Sequence, residues 1–153
     1  EECSVKKVSN FYHEHTNCER KEHFFTDLVS ASLIKYTINS FLANKVIFFN
    51  QLKDIFDLSG TNEDWSNFIE ILSQDKRIGK SHMNVPAHDG RKGYGGACFP
   101  KDTAALLKFS KNLGKEFTLL RESIIINNRI RSVYNGPIKR EAEQNISFEK
   151  KDD

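Results

Sequence analysis

The stretch with the most chemistry in it is Gly93-Tyr94-Gly95-Gly96-Ala97-Cys98-Phe99-Pro100-Lys101-Asp102-Thr103. Glycines at 93, 95 and 96 give a backbone that can turn tightly and approach a ligand closely. Pro100 suits the first turn of a helix, where its missing N–H would be unpaired anyway. Residues 103–109 then read as helix. Cys98 therefore falls just before a helix N-terminus, with Lys101 beside it. A helix N-terminus and a neighbouring cation are surroundings that favour a thiolate. Asp102, one turn on, can act as a base or orient a water. A thiol nucleophile, a base and backbone donors together suggest covalent catalysis at a carbonyl carbon. The competing reading is a buried cysteine beside a structural turn, the commoner state of a free cysteine.

The chain of 153 residues is of single-domain size, with tails. Its hydrophobic fraction of 38% is adequate for a core, which twelve Phe make aromatic. A net charge of +2, from 23 basic and 21 acidic residues, makes no case for nucleic acid by bulk electrostatics. No apolar run is long enough for a bilayer and no N-terminal segment resembles a signal peptide. Three cysteines do not complete a disulfide framework, and these features together point to a reducing, cytoplasmic setting.

The elements that must position the loop read as helices throughout, so the expected fold is all-α with little or no sheet. Thr26-Asp27 is a helix start, with Thr26 as N-cap. From Asp27 to Leu58, Ile34, Ile38, Phe41, Leu42, Phe48, Phe49, Leu52, Ile55 and Phe56 recur at helical spacing, and Gly60 suits its end. At 1.5 Å per residue this helix is roughly 45 Å long. One domain cannot bury all of it, so a homodimer through this helix is expected; a kinked helix in a monomer is the alternative. Thr61 caps the next helix, which carries Trp65, Phe68, Ile69, Ile71 and Leu72 and closes over residues 73–79. Lys80 to Lys92 is a polar loop. Further helices run from Pro100 to Asn112, ending at Leu113-Gly114, and from Glu116 to Tyr134. Residues 138–153 are charged and expected to fray. The organisation expected is a tail over 1–26, a helical domain over 27–134 and a charged tail over 135–153.

Near the start, Cys3, His13, His15, Cys18 and His23 invite a zinc reading. Their spacing fits no standard paired-ligand finger, so a solvated or loosely helical tail with no metal is expected.

The full string from Gly93 to Thr103 resembles the catalytic-cysteine loop of the UDP-glucose/GDP-mannose dehydrogenase family, with the UDP-glucose-oxidising members the best match. Residues 31–43, around Lys35 and Asn39, look like that family's long central helix, although the family usually has Glu where this chain has Ser32. Arg77-Ile78-Gly79 also matches. The resemblance covers about residues 27–134, the central helical part. It implies a sugar-nucleotide substrate, two NAD per turnover and no metal, with the C6 alcohol of UDP-glucose carried to a carboxylate. Cys98 would attack the aldehyde intermediate to give a thiohemiacetal; hydride loss to NAD would give a thioester, which water hydrolyses. Lys35 would stabilise the oxyanion, and Asn39 and Asp102 would position and activate the water. Lys35, Asn39, Arg77 (reaching a neighbouring subunit), Lys92, Tyr94 and Gly95 would hold substrate, and Cys98 and Lys101 would meet the cofactor. No Gly-x-Gly-x-x-Gly follows a strand, so a dinucleotide fingerprint is absent, and the family's catalytic glutamate has no counterpart. The chain is thus expected to carry the nucleophile half of a site, with a separate NAD-binding domain as partner. A helical dimerisation remnant and a Cys/His metal protein are the competing classes.

Overall fold

The computed structural model describes residues 2–17 and 22–148. Six helices account for its regular structure: α1 (Glu2–His15), α2 (Leu28–Leu58), α3 (Trp65–Leu72), α4 (Phe99–Asn112), α5 (Thr118–Arg131) and α6 (Lys139–Ala142). No strand forms among the described residues, in keeping with the all-α expectation. By its contacts the chain divides into two units, Glu1–Leu33 and Ile34–Asp153.

In the first unit, α1 is mostly exposed. The Ser9 hydroxyl lies 2.5 Å from His23 Nδ1, and the His13 and His23 rings meet at 5.0 Å. Cys18 and the Cys3 side chain, two parts of the metal pattern, lie outside the described residues. Among the described residues no group of three or more His, Cys, Asp or Glu is placed to hold a metal.

The second unit is built on the long helix. Ser40, Ala43, Val46, Ile47, Phe49 and Asn50 form its buried stripe. Ala43, Val46 and Ile47 pack with Tyr94, flanked by Phe99, Ile126 and Ile130. Further along, Phe49 packs with Met83 and Val85 against Trp65, Ile69, Leu72 and Ile78. From Ser40 to Ile47 the inward face is thus set by small and β-branched residues that allow close approach, and Phe49 takes it over further along. Of the apolar row read from the sequence, Ile34, Ile38, Phe41, Phe48 and Ile55 are exposed in the single chain, while Phe49 is buried and Leu42, Leu52 and Phe56 are half-buried.

The helix starts differ from the sequence reading in detail. Asp27, not Thr26, caps α2: its carboxylate accepts from the N–H groups of Val29 (2.9 Å) and Ser30 (3.0 Å). Asp64, not Thr61, caps α3, accepting from Ser66 N (2.7 Å) and Asn67 N (3.3 Å). An ionised carboxylate is the stronger acceptor for these orphan donors, and Thr61 Oγ1 is instead used within the preceding turn, by Glu63 N at 3.2 Å. The last long helix stops at Arg131 rather than Tyr134. Fraying over 138–153 does not hold through the described part: α6 forms there and Glu141 is fully buried.

The glycine loop is held by side-chain amides. Gly93 N donates to Asn50 Oδ1 at 3.0 Å and Tyr94 N to Asn127 Oδ1 at 2.7 Å, while Asn127 Nδ2 donates to Tyr94 O at 3.0 Å. A Cβ on Gly93 would stand 2.7 Å from Asn127 Oδ1, and its φ is +75°, so glycine is required there on two counts. Buried backbone groups outside regular structure need such partners. Asn127→Ala would strip both from Tyr94 and is expected to lower unfolding stability by about 1–3 kcal/mol, read by urea denaturation. Hydrogen exchange should accelerate at the Tyr94 amide before the α4 amides.

Candidate active site around Cys98 and Asp102

Cys98 occupies the N-cap of α4, makes no capping bond with its side chain, and is an exposed free thiol. Asp102 N donates to Cys98 O at 2.9 Å, closing the first helical turn, and Thr103 Oγ1 donates to Phe99 O at 2.7 Å. Pro100 sits in that turn, where no donor is missed. The turn presents the thiol outward.

Asp102 is the centre of the arrangement. Its side chain is completely buried, yet it is charged. Oδ2 accepts from Lys35 Nζ at 3.0 Å and from Asn39 Nδ2 at 2.6 Å, and Oδ1 pairs with Lys101 Nζ at 3.0 Å. Burial works against ionisation, but the hydrogen bonds from Lys35, Asn39 and Lys101 outweigh it and hold the carboxyl below the usual carboxylate range. The pair with Asp102 in turn raises Lys101, and Cys98 lies within electrostatic reach of the same ammonium. Lys35 and Asn39, four apart on α2, therefore converge with Lys101 and Asp102 next to Cys98. Lys35 keeps 57% of its side chain exposed, so its ammonium can also serve a ligand.

The remaining sequence candidates are placed elsewhere. Arg77 is 90% exposed and its guanidinium forks onto Asp75, with Nε at 2.9 Å from Oδ1 and Nη2 at 2.5 Å from Oδ2. Its turn is anchored by Lys45, whose Nζ donates to Ile78 O (2.8 Å) and Gly79 O (3.0 Å). Lys92 Nζ is engaged by Asp54 at 2.7 Å, and its backbone N–H donates to Tyr134 Oη at 2.8 Å. Tyr94 is 3% exposed, its ring edge-on to Phe99, and burial pushes its phenol up to about 12. Little of that ring is left for a ligand. Gly95 has a packing reason to be glycine, since a Cβ would overlap Arg131 Nη2 and Glu141 Oε1.

Beside the glycine loop lies a cleft of about 740 Å³, whose polar lining includes Lys80, His82, His88 and Arg140. The His82 ring lies tilted against Phe99, centroids 5.4 Å apart; burial, then the charges of Lys45 and His88, lower its pKa. Cys98 is not among the lining residues. Sequence reasoning missed Asn50, Asn127, Arg131 and Glu141, which hold the loop. The available signal was an Asn closing the apolar run Ile124-Ile125-Ile126-Asn127.

Removing the Asp102 charge leaves two ammonium groups without a counterion. Asp102→Asn is expected to destabilise the chain by about 2 kcal/mol at neutral pH, the exposure of both lysines limiting the loss. The group's folded pKa is depressed, so its contribution is present above the unfolded value and fades as pH falls through the folded one. Urea midpoints of the native chain should therefore drop below about pH 4 more steeply than those of the variant.

Residues 29–129 match the family model described as UDP-glucose/GDP-mannose dehydrogenase family, central domain. The chain is 41% identical over 103 residues to UDP-glucose 6-dehydrogenase YwqF of Bacillus subtilis, covering 67% of this chain and 22% of that protein. It is 40% identical over 110 residues to the UDP-glucose 6-dehydrogenase of Rickettsia bellii, covering 72% and 24%. It is 35% identical over 103 residues to UDP-glucose 6-dehydrogenase AglM of Haloferax volcanii, covering 67% and 22%. The chain thus spans about a quarter or less of the length of these relatives. Lys35, Asn39, Cys98, Lys101 and Asp102 all fall inside the matched region, and the chain belongs to the UDP-glucose/GDP-mannose dehydrogenase family, whose central domain it carries.

Proposed function

We propose that this chain supplies the cysteine half of the active site of an NAD-dependent UDP-glucose 6-dehydrogenase, acting in the cytoplasm. The observation that carries the reading is the convergence of Lys35, Asn39 and Lys101 on buried Asp102, one turn from the exposed thiol of Cys98. Among the described residues no strand forms, so the βαβ crevice that binds dinucleotides has no counterpart in them. NAD is accordingly assigned to a domain outside them, its nicotinamide meeting this chain at Cys98 and Lys101.

The chain's own residues account for acyl chemistry. Cys98 adds through Sγ to the C6 carbonyl of the aldehyde, forming the C–S bond while the carbonyl π electrons move to oxygen. The half-exposed Lys35 ammonium stabilises that oxyanion, a contribution of a few kcal/mol where such donors are preorganised. Bound NAD would supply the oxidation by accepting the C6 hydride, which would bring the adduct to the thioester; water then adds and the C–S bond breaks, returning the thiol and releasing the carboxylate. Asp102 is a weak base in the resting state, since three donors hold it ionised. Its role in this reading is to orient Lys35 and Asn39, with Asn39 placing the water. Arg77, on its exposed turn, reaches the substrate of a neighbouring copy, and Lys92, Tyr94 and Gly95 shape the loop around the sugar nucleotide. Residues 27–134 form the catalytic and dimerisation domain.

The homodimer is supported by the outward face of α2. Ile38, Phe41 and Phe48 are each more than half exposed. Phe41 and Phe48 line an apolar groove of about 420 Å³ between α2 and α5. A row of large apolar side chains on one helix is costly to leave in water, and a second copy presents the same row. Phe41→Glu with Phe48→Glu is expected to convert a dimer to monomer in sedimentation equilibrium; an unchanged mass would place the interface elsewhere.

Cys98→Ser, introduced into a complete dehydrogenase containing this domain, is expected to cut UDP-glucuronate formation at least 1000-fold, measured by chromatography of the sugar nucleotides. Undiminished acid would overturn the nucleophile assignment, and failure of the unaltered domain to bind UDP-glucose would favour a non-catalytic dimerisation remnant.

A further inference from the structure

The loop that ends at Cys98 rests on a charged pair from beyond the family match. The matched region stops at residue 129, yet Arg131 and Glu141 are 2% and 0% exposed. Glu141 Oε1 accepts from Gly96 N at 3.1 Å and from Arg131 Nη2 at 2.5 Å. Oε2 accepts from Ile138 N at 2.8 Å, the back-reaching half of a capping box that also starts α6. Arg131 Nη1 donates to Asp89 Oδ2 at 2.8 Å, and its guanidinium lies over the rings of Tyr134 (6.0 Å) and Phe148 (5.3 Å).

Such a pair could be packing alone. Three features say otherwise. One carboxylate serves three donors, and one of them is the backbone of the loop itself, two residues before Cys98. Gly95 is wedged against both partners, so any tilt of the pair moves the loop. The pair also ties the loop at 80–92, through Asp89, to the same point. A buried ion pair is a weak source of net stability but a strict one of geometry, because a displaced partner leaves a desolvated charge.

We propose that Glu141 is a positioning residue: by holding Gly96 N and Arg131 together it sets the direction in which the backbone delivers Cys98 at the start of α4. The proposal rests on the reading of Cys98 as the nucleophile. It gives the segment after α5 a function in the site, and it predicts that the end of the loop, not its start, responds to changes at position 141.

The test uses the full chain with Glu141, Glu141→Gln or Glu141→Ala. Two readouts are taken: residue-resolved hydrogen exchange, and alkylation of Cys98 by iodoacetamide followed by peptide mass from about pH 6 to about pH 9. Glu141→Ala is expected to speed exchange at the Gly96 amide about tenfold or more while Leu106, in the core of α4, changes less than about twofold. It should also change the pH profile of Cys98 alkylation. Glu141→Gln retains an Oε1 acceptor and should return both readouts towards the native chain. Should the alanine variant fail to fold, Glu141→Asp replaces it: the shorter side chain keeps the charge but withdraws the acceptor, so Gly96 must exchange faster in it than in the Gln variant. Equal acceleration at Gly96 and Leu106, or an alkylation profile unmoved by loss of the acceptor, would overturn the proposal. Neither readout needs substrate or oxidant. A Cys98 with no part in turnover would leave the Gly96 result standing, and a silent Gly96 would leave the effect of Cys98→Ser untouched.

Discussion

A carboxylate with no exposed surface must find its partners inside the protein, and Asp102 finds three: hydrogen bonds from Lys35 and Asn39 on Oδ2 and an ion pair with Lys101 at Oδ1. Two come from α2 and one from its own helix. This requirement decides how α4 approaches α2. Lys35 and Asn39 must face the first turn of α4, and Cys98, one turn before Asp102, is carried to the same place. The charge is not an optional ornament of a packed core. Desolvation works against it, and the hydrogen bonds exceed that penalty. The arrangement stores cations beside a thiol at the mouth of a helix, where developing negative charge is most easily accommodated.

The second constraint lies beneath the glycine loop. An irregular buried backbone has no ladder to satisfy it, so its polar groups are met singly: Gly93 N by Asn50, Tyr94 N and O by Asn127, Gly96 N by Glu141. These partners come from α2, α5 and α6, so the loop is the point at which those elements meet. Tyr94 adds an apolar anchor, its ring filling the cluster around Val46 and Ile47. The glycines are therefore needed as much by what lies under the loop as by anything that approaches from solvent, which is clearest at Gly95.

Much of this was legible in the sequence. The all-helical class, the span of the long helix to within a residue, and the joining of Cys98 to a helix start by Pro100 follow from periodicity and local stereochemistry. Lys35 and Asn39 share a face because they are four apart. The caps were misread where two acceptors stood side by side, since Thr and Asp compete for the same orphan donors and the carboxylate wins. The apolar row was read as more than one domain can bury, and five of its nine members are exposed; helical spacing marks a periodic row without saying which side of the helix its neighbours occupy. Ala43 and Val46, too modest to stand out, take the inside, while Phe41 and Phe48 face outward.

What the sequence by itself determined, then, is everything carried by near neighbours along the chain: which segments are helices, where the thiol sits on its helix, and which side chains share a turn. What only the tertiary structure decided is which polar groups are paired across the fold. Asp102 reads as a catalytic base until Lys35, Asn39 and Lys101 are seen to hold it as an anion. Glu141 reads as one more charge in a solvated end until Arg131 and Gly96 are found on its oxygens. The physical reason is the same in both cases. A carboxylate's state depends on burial and on donors, several of them supplied from positions 10 to 67 residues away, and no local pattern records that distance.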